Sequence, residues 1–310
     1  MLVNVNNVYD VLNKISEHTH VSVDTETTGT RPYHGDSLFS IVISTAGFSY
    51  YFNFIEYPEV DTAQVLPLPF IKLIYEYIKG KKVYLANAKF DLHFLTQEGW
   101  GTEFDIWDVL VVDKCIYNRH MNYGLSDVAE RMGLGQKDDA VMNYIKEHNL
   151  YDKEVVPGKK GVQRNPRFDK VPFEIVSKYA IRDGELTYKI GVLQEQKVKE
   201  LNKKYRTING YTHDFEKLIE RECRLTKVLF DIEKHGMTID REYIERAKKH
   251  EEERIKKAKE EFQTLTGFVL IDSAKHLSPI LTKRGVTPGR TEKGRESFTD
   301  EVLCSTSDEA

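Results

Sequence analysis

Apolar positions along the first half of the chain switch between helical and extended periods. Val8, Val11, Leu12 and Ile15, within residues 5–18, fall at helical spacing and predict a short amphipathic helix. Three β-rich runs follow: VSVDTE (21–26), LFSIVIST (38–45) and FSYYFNF (48–54). Short loops containing Gly29, Gly35 and Gly47 separate them, as expected of an antiparallel meander. LPFIKLIYEYIKG (68–80), with its proline start and glycine stop, predicts a helix covering the sheet, as does AKFDLHFLTQEG (88–99). KKVYLAN (81–87) and FDIWDVL (104–110) add further strands. Strands first, then alternating helices and strands, predict an α/β fold with a mixed sheet.

Residues 152–172, DKEVVPGKKGVQRNPRFDKVP, break that pattern and predict a long surface loop. Its Lys159, Lys160, Arg164 and Arg167 could meet a phosphate backbone or simply be solvated. From about residue 212 the character changes. Residues 212–236 predict a helix with Phe215, Leu218, Leu225, Leu229 and Ile232 on one stripe, stopped by Gly236. Residues 237–267 predict a second helix, with Asp240 as N-cap. Both are dense in alternating acids and bases, the mark of long exposed faces. The expectation is therefore an α/β domain over 1–211 and a helical module over 212–310.

Composition narrows the class without choosing a function. The 310 residues are 40% hydrophobic and 30% charged, which fits a globular chain with a heavily charged surface. A net charge of −4 supplies no global attraction to nucleic acid, leaving only local basic patches for that purpose. Cys115, Cys223 and Cys304 form no CxxC pair, which argues against a zinc site or disulfide framework and predicts a reducing cytoplasm. The first residues do not read as a signal peptide, and no apolar run approaches the roughly 20 residues of a membrane helix.

The chemistry enters with VSVDTETTGT (21–30). A period of two points Asp24 and Glu26 out of the same face of a strand, among valines that favour burial. Two further segments carry acids at the period of their predicted elements. In YLANAKFDLHFL, Asn87 and Asp91 are four apart on one helix face; in VSKYAIRDGELTYKI, so are Tyr179 and Asp183. Four converging carboxylates would repel unless divalent cations sat among them. Mg²⁺ or Mn²⁺ suits such oxygen ligands, and two such ions about 3.5–4 Å apart form a phosphodiester-cleaving arrangement. A tyrosine beside the attacking water can orient it, but with a pKa near ~10 it is a poor base at neutral pH. Asp108, Asp113 and Asp138 read as surface or capping acids, His93 as a supporting or surface histidine, and Trp107 as core.

DTETTG, NAKFD and YAIRD resemble, by residue type and order, the Exo I, Exo II and Exo III motifs of the DEDDy 3′→5′ exonucleases, specifically the proofreading domain of family A DNA polymerases. The resemblance implies a ribonuclease H-like sheet and two divalent ions. It implies that Asp24, Glu26 and Asp183 hold the first ion, that Asp24 bridges to the second, and that Asp91 lies in the second ion's outer shell. Tyr179 would position the water, Asn87 would order the site or contact the terminal nucleotide, and Thr27 and Thr30 would contact the 3′-terminal residue of a single strand.

Residues 270–303 resemble the tip of a polymerase thumb, which implies a duplex grip by basic residues including Lys275, Lys283, Arg284 and Arg290. No second acid set for a palm is visible, nor a fingers helix. The expectation is an N-terminal part of a family A enzyme, phage-like and split or truncated, working with a separately encoded palm-and-fingers polypeptide. Two other readings share some of these residues: a non-catalytic DNA-holding subunit, and an RNA-processing exonuclease of the same superfamily.

Overall fold

The computed structural model describes residues 1–135, 139–155, 162–208, 211–271 and 273–304. Lys159, Lys160, Asp138 and Asp272 lie outside the described residues. Two compact units divide the chain, 1–236 and 237–310.

The first unit opens with β1 (Leu2–Val3), α1 (Val8–Ser16), β2 (His20–Thr27), β3 (Leu38–Thr45) and β4 (Phe48–Asn53). It continues with α2 (Pro69–Ile78), β5 (Lys82–Leu85), α3 (Ala88–Gln97), β6 (Asp105–Asp108), α4 (Val109–Ile116), α5 (Leu125–Arg131) and α6 (Ala140–Glu147). The order across the main sheet is β1-β4-β3-β2-β5-β6. β2, β3 and β4 form the antiparallel meander, while β5 and β6 run parallel to β2. This is the mixed sheet, an antiparallel meander followed by parallel strands, that the sequence pattern predicts. Val8, Val11, Leu12 and Ile15 of α1 are buried against one sheet face with Val21, Val23, Ile41 and Ile43.

Within 152–172, the described residues are not the irregular loop expected of that stretch. β7 (Tyr151–Val155) and β8 (Val162–Pro166) pair antiparallel, followed by a 3₁₀ turn at Phe168–Lys170. Arg167 is not a free phosphate contact. It bonds both Asp169 and Asp152, tying the turn back to the hairpin, and the Arg164 guanidinium lies 4.8 Å from the Tyr151 ring centre.

The other face of the sheet is covered by α7 (Phe173–Tyr205), a helix of 33 residues. Its seat on β2, β3 and β5 requires two glycines. A Cβ on Gly184 would lie 2.6 Å from Val42 Cγ1 and 2.9 Å from Ser44 Oγ, and one on Gly191 would collide with the Tyr84 ring. The absent side chains also let Ser22 Oγ donate to the Gly184 carbonyl at 2.7 Å. α7 is therefore held at a fixed height over the strand that carries Asp24 and Glu26.

A short ribbon, β9 (Thr207–Ile208) with β10 (Tyr211–Thr212), leads to α8 (Phe215–His235). The compact boundary falls after α8 rather than at 211/212, because α8 packs on α3, α4, α7 and β6. Its buried stripe is also displaced from the expected one. Ile219, Cys223, Thr226 and Phe230 face inward, whereas Leu225, Leu229 and Ile232 are exposed. The helical period holds but the phase shifts by about one residue, roughly 100°, because α8 has apolar residues on two sides and the domain selects the side that fits beside His93 and Cys115.

The second unit contains α9 (Arg241–Thr266), α10 (Ala274–Thr282), a two-residue ribbon of β11 (Gly289–Arg290) and β12 (Glu296–Ser297), and α11 (Asp300–Cys304). Asp240 caps α9, accepting from the Tyr243 N–H at 2.9 Å, and no residue of α9 is buried. Among the described residues, no helix is long and apolar enough to cross a membrane.

Replacing Gly184 with Ala is expected to cost about 1–3 kcal/mol through overpacking. A lowered urea midpoint would show it, and an unchanged midpoint would contradict the close seating of α7.

Candidate active site

Alternation along β2 sends its side chains to two different destinations. Asp24 and Glu26 lie opposite Val42 and Ser40 of β3, on the face covered by α7. Thr25, between them, points to α3, where its hydroxyl donates to Asp91 Oδ1 at 2.6 Å. On α7, Tyr179 and Asp183 are one turn apart and both are buried. The result is a cup in which Asp24, Glu26 and Asp183 each offer a carboxylate oxygen, all within 4.8 Å of one another.

The cup opens into a cavity of about 280 Å³ lined by Thr25, Thr27, Gly29, Thr30, Phe90, Asp91 and Tyr179 as well as the three acids. Asn165, Pro166 and Phe168 complete the wall from the hairpin side. Thr27 and Thr30 thus stand at the cavity, Thr27 with its hydroxyl donating to the Gly29 carbonyl at 2.7 Å.

Asp91 lines the same cavity but stands outside the three-oxygen cluster. Burial pushes its carboxyl up to about 7; the Thr25 hydrogen bond opposes that rise, and the nearby Asp108 charge adds to it. Asn87 is not on the Asp91 helix face as its spacing suggests. It precedes α3 as N-cap, in the left-handed region at φ 67°, and is exposed. The helix is started instead by Asp108, which is the capping acid that its sequence position allows, and is buried rather than at the surface. Asp108 accepts from the Ala88 N–H at 2.8 Å and also caps α4 through Leu110 and Val111. Two helix N-termini share one carboxylate, which suits both unsatisfied N–H groups and helix dipoles.

Tyr179 is held by burial, and by the negative fields of Glu26, Asp183 and Asp24, far above the usual phenol range. It stays protonated at any working pH and shares a hydrogen bond with Asp183. Its ring packs against Phe168 at 5.9 Å between centres, so the hairpin braces the tyrosine. His93 is likewise not a ligand. It bridges Tyr33 at 2.7 Å and Glu233 at 3.0 Å, joining α3 to α8. Trp107 is part-buried, its indole donating to Gln194 at 3.1 Å. Asp113 is fully buried and paired with Arg131.

Phe90, Asn165 and Phe168 escaped the sequence reading. Phe90 sits inside NAKFD and could have been found as the residue preceding Asp91. The hairpin residues gave a weaker signal, two valine-bearing runs on either side of a Pro-Gly dipeptide in the sequence. Lys275, Lys283, Arg284 and Arg290 are all exposed in the second unit, Arg284 also bonding the Leu265 carbonyl.

Acids from a strand and a crossing helix, Asp24 half-buried and Glu26 and Asp183 buried, thus meet on one face of a mixed sheet. The profile of the 3′–5′ exonuclease of family A DNA polymerases matches residues 4–199, so the chain belongs to that family and carries its exonuclease domain. The DNA polymerase DpoZ of Vibrio phage phiVC8 is 27% identical over 240 residues, covering 75% of this chain and 35% of that protein. DNA polymerase I of Borreliella burgdorferi is 22% identical over 237 residues, covering 76% of this chain and 22% of that protein. In fold, the chain is similar to the POL domain of Pol1 from M. smegmatis, solved with DNA primer-template and dNTP, with a TM-score of 0.64 at 15% identity. That match covers 98% of this chain and 44% of the other. The chain thus spans less than half the length of these relatives.

Asp108→Ala would strand several buried N–H groups and is expected to cost about 1–3 kcal/mol. Chemical denaturation checks it; a loss no larger than that of a surface Asp→Ala control would refute the shared-cap assignment.

Proposed function

We propose that the chain removes nucleotides from the 3′ end of single-stranded DNA in the proofreading manner, releasing nucleoside monophosphates. The observation that carries this reading is the meeting of Asp24, Glu26 and Asp183 oxygens within 4.8 Å. A hard, all-oxygen donor set of three acids fits Mg²⁺ or Mn²⁺ and would be strongly self-repelling without a cation. Asp24, Glu26 and Asp183 would hold the ions, with Asp91 supporting them from the α3 side through its bond to Thr25. Two bound ions would polarise the scissile phosphodiester and the attacking water.

The chain's own residues supply the remaining requirements. Tyr179, protonated and braced by Phe168, donates or accepts a hydrogen bond to orient water in line with the phosphorus, and does not act as its base. Thr27, Thr30 and Phe90 line the cavity where the terminal nucleotide would lie, and a pocket of this size admits an unpaired end rather than a duplex. Asn87, exposed at the start of α3, would meet the strand outside the cavity. The second unit would hold duplex DNA through Lys275, Lys283, Arg284 and Arg290 as a thumb-like segment. Polymerisation would require palm and fingers, on a separate polypeptide or beyond these residues. Free cysteines suit a bacterial or infected-cell cytoplasm.

Incubation with a 5′-labelled single strand and Mg²⁺ is expected to give a ladder shortened from the 3′ end, abolished by chelator. Asp24→Ala and Asp183→Ala should each remove this activity, and substantial residual hydrolysis by either would overturn the reading. Tyr179→Phe should lower kcat while leaving DNA affinity nearly unchanged. A ribose strand degraded as fast as the deoxyribose one would move the assignment to RNA processing.

A further inference from the structure

The wall of the cavity formed by Gly29 and Thr30 continues into the loop between β2 and β3, residues 28–37. This loop is closed at its base. The Thr28 N–H donates to the Ser37 carbonyl at 2.9 Å, and the Ser37 N–H donates to the Thr28 hydroxyl at 3.0 Å. Further in, the Asp36 carboxylate accepts from the Arg31 N–H at 2.8 Å. Asp36 also packs so closely on Gly29 that a Cβ there would stand 2.4 Å from its carboxylate oxygen. The segment between them is a 3₁₀ turn at Pro32–His34, with Tyr33 at its middle. Tyr33 is thus carried on a loop that its own hydrogen bonds hold in shape.

The side chain is 49% exposed, yet its polar end is fixed. Its hydroxyl lies 2.7 Å from His93 Nδ1, and His93 Nε2 lies 3.0 Å from a Glu233 oxygen. An ionised carboxylate only accepts, so Nε2 carries the proton of a neutral imidazole and Nδ1 accepts from the phenol. The two rings meet edge to face with centres 5.5 Å apart, and Phe230 of α8 packs on His93 at 4.9 Å. A tyrosine anchored by its oxygen and still half in solvent exposes ring surface, not its polar atom. Tyr9 on α1 and Phe48 at the start of β4 are also exposed, but neither segment lines the cavity. Tyr33 adjoins it twice. Its own loop supplies Thr30, and its partner His93 follows Phe90 by three residues on one face of α3, about 4.5 Å further along the axis.

We propose that Tyr33 is a stacking surface for the base of the second nucleotide from the 3′ end, the one left just outside the cavity when the terminal nucleotide is within it. The assignment rests on the exonuclease reading above and extends it to the path of the strand. An enzyme that removes whichever nucleotide ends a strand needs contacts that tolerate every base. An aromatic ring provides such a contact, because every base has a π-face. Only an unpaired strand can lay that face on the tyrosine, so the site selects against a closed duplex end. The brace through His93 and Glu233 fixes the ring before the strand arrives, and less side-chain freedom is lost on binding.

The test measures initial release of the first nucleotide, with Mg²⁺, from two short single strands of deoxyribonucleotides. They are identical except that one lacks the base of its second nucleotide from the 3′ end. Wild type is expected to favour the intact strand about tenfold in kcat/KM, within the range of base–aromatic stacking. Tyr33→Ala should lose about tenfold on the intact strand, mainly through KM, and should treat the two strands alike to within about twofold, as a coupled pair requires. Tyr33→Phe, which keeps the ring and loses the bond to His93, should retain most of the wild-type preference. A phenylalanine variant as weak as the alanine one would make the tyrosine a loop anchor and overturn the stacking role. So would a folded Tyr33→Ala that still distinguishes the strands as wild type does. Should Tyr33→Ala fail to fold, Tyr33→Leu, of similar bulk but without a π-face, decides by the same comparison. Failure of the wild type to hydrolyse either strand would instead remove the exonuclease reading, and this proposal with it.

Discussion

Mutual repulsion among Asp24, Glu26 and Asp183 is the constraint around which the first unit is arranged. Two unit charges about 4 Å apart repel by about 4 kcal/mol at an effective dielectric of about 20, and three oxygens here share a 4.8 Å neighbourhood. Nothing local to either segment brings these acids together. The meeting is imposed by the packing of α7 on the sheet, where Gly184 and Gly191 let the helix descend onto Val42, Ser44 and Tyr84. Core packing thus does work against the charges, and cation binding would return it.

The helix does more than deliver one carboxylate to the cup. Tyr179 and Asp183 sit on consecutive turns, so the phenol and the carboxylate move as one rigid piece. The hairpin and its turn, clasped by Arg167 between Asp152 and Asp169, press Phe168 onto the tyrosine from outside. Two separately anchored elements therefore define the position of one hydroxyl. On the opposite side, Asp108 ties the first turns of α3 and α4 together beneath Asp91.

Much of this was legible because the decisive residues obey a local period. Asp24 and Glu26 follow the alternation of β2, and Tyr179 and Asp183 follow the turn of α7, so residue type and spacing suffice to name them. What failed depended on contacts remote in sequence. Asn87 is four before Asp91, yet Asp108, twenty residues away from Ala88, determines where α3 starts and leaves Asn87 outside it. The apolar stripe of α8 had the correct period, but which of its two apolar sides turns inward is decided by the domain it meets. The hairpin at 151–166 was obscured by Pro and Gly between short strands whose pairing adds no strong hydrophobic alternation.

The single-residue alternation in β2 has a wider consequence. Asp24 and Glu26 face the cup, Thr25 faces Asp91, and Val21 and Val23 fill the core on the side of α1, all in one register. A slip of one position would turn the valines toward α7 and the cup and bury the acids in hydrocarbon at the same stroke. Misassembled chains therefore possess neither a stable interior nor a competent centre. Correct zipping of this one pair of strands therefore sets the interior and the carboxylate cup together.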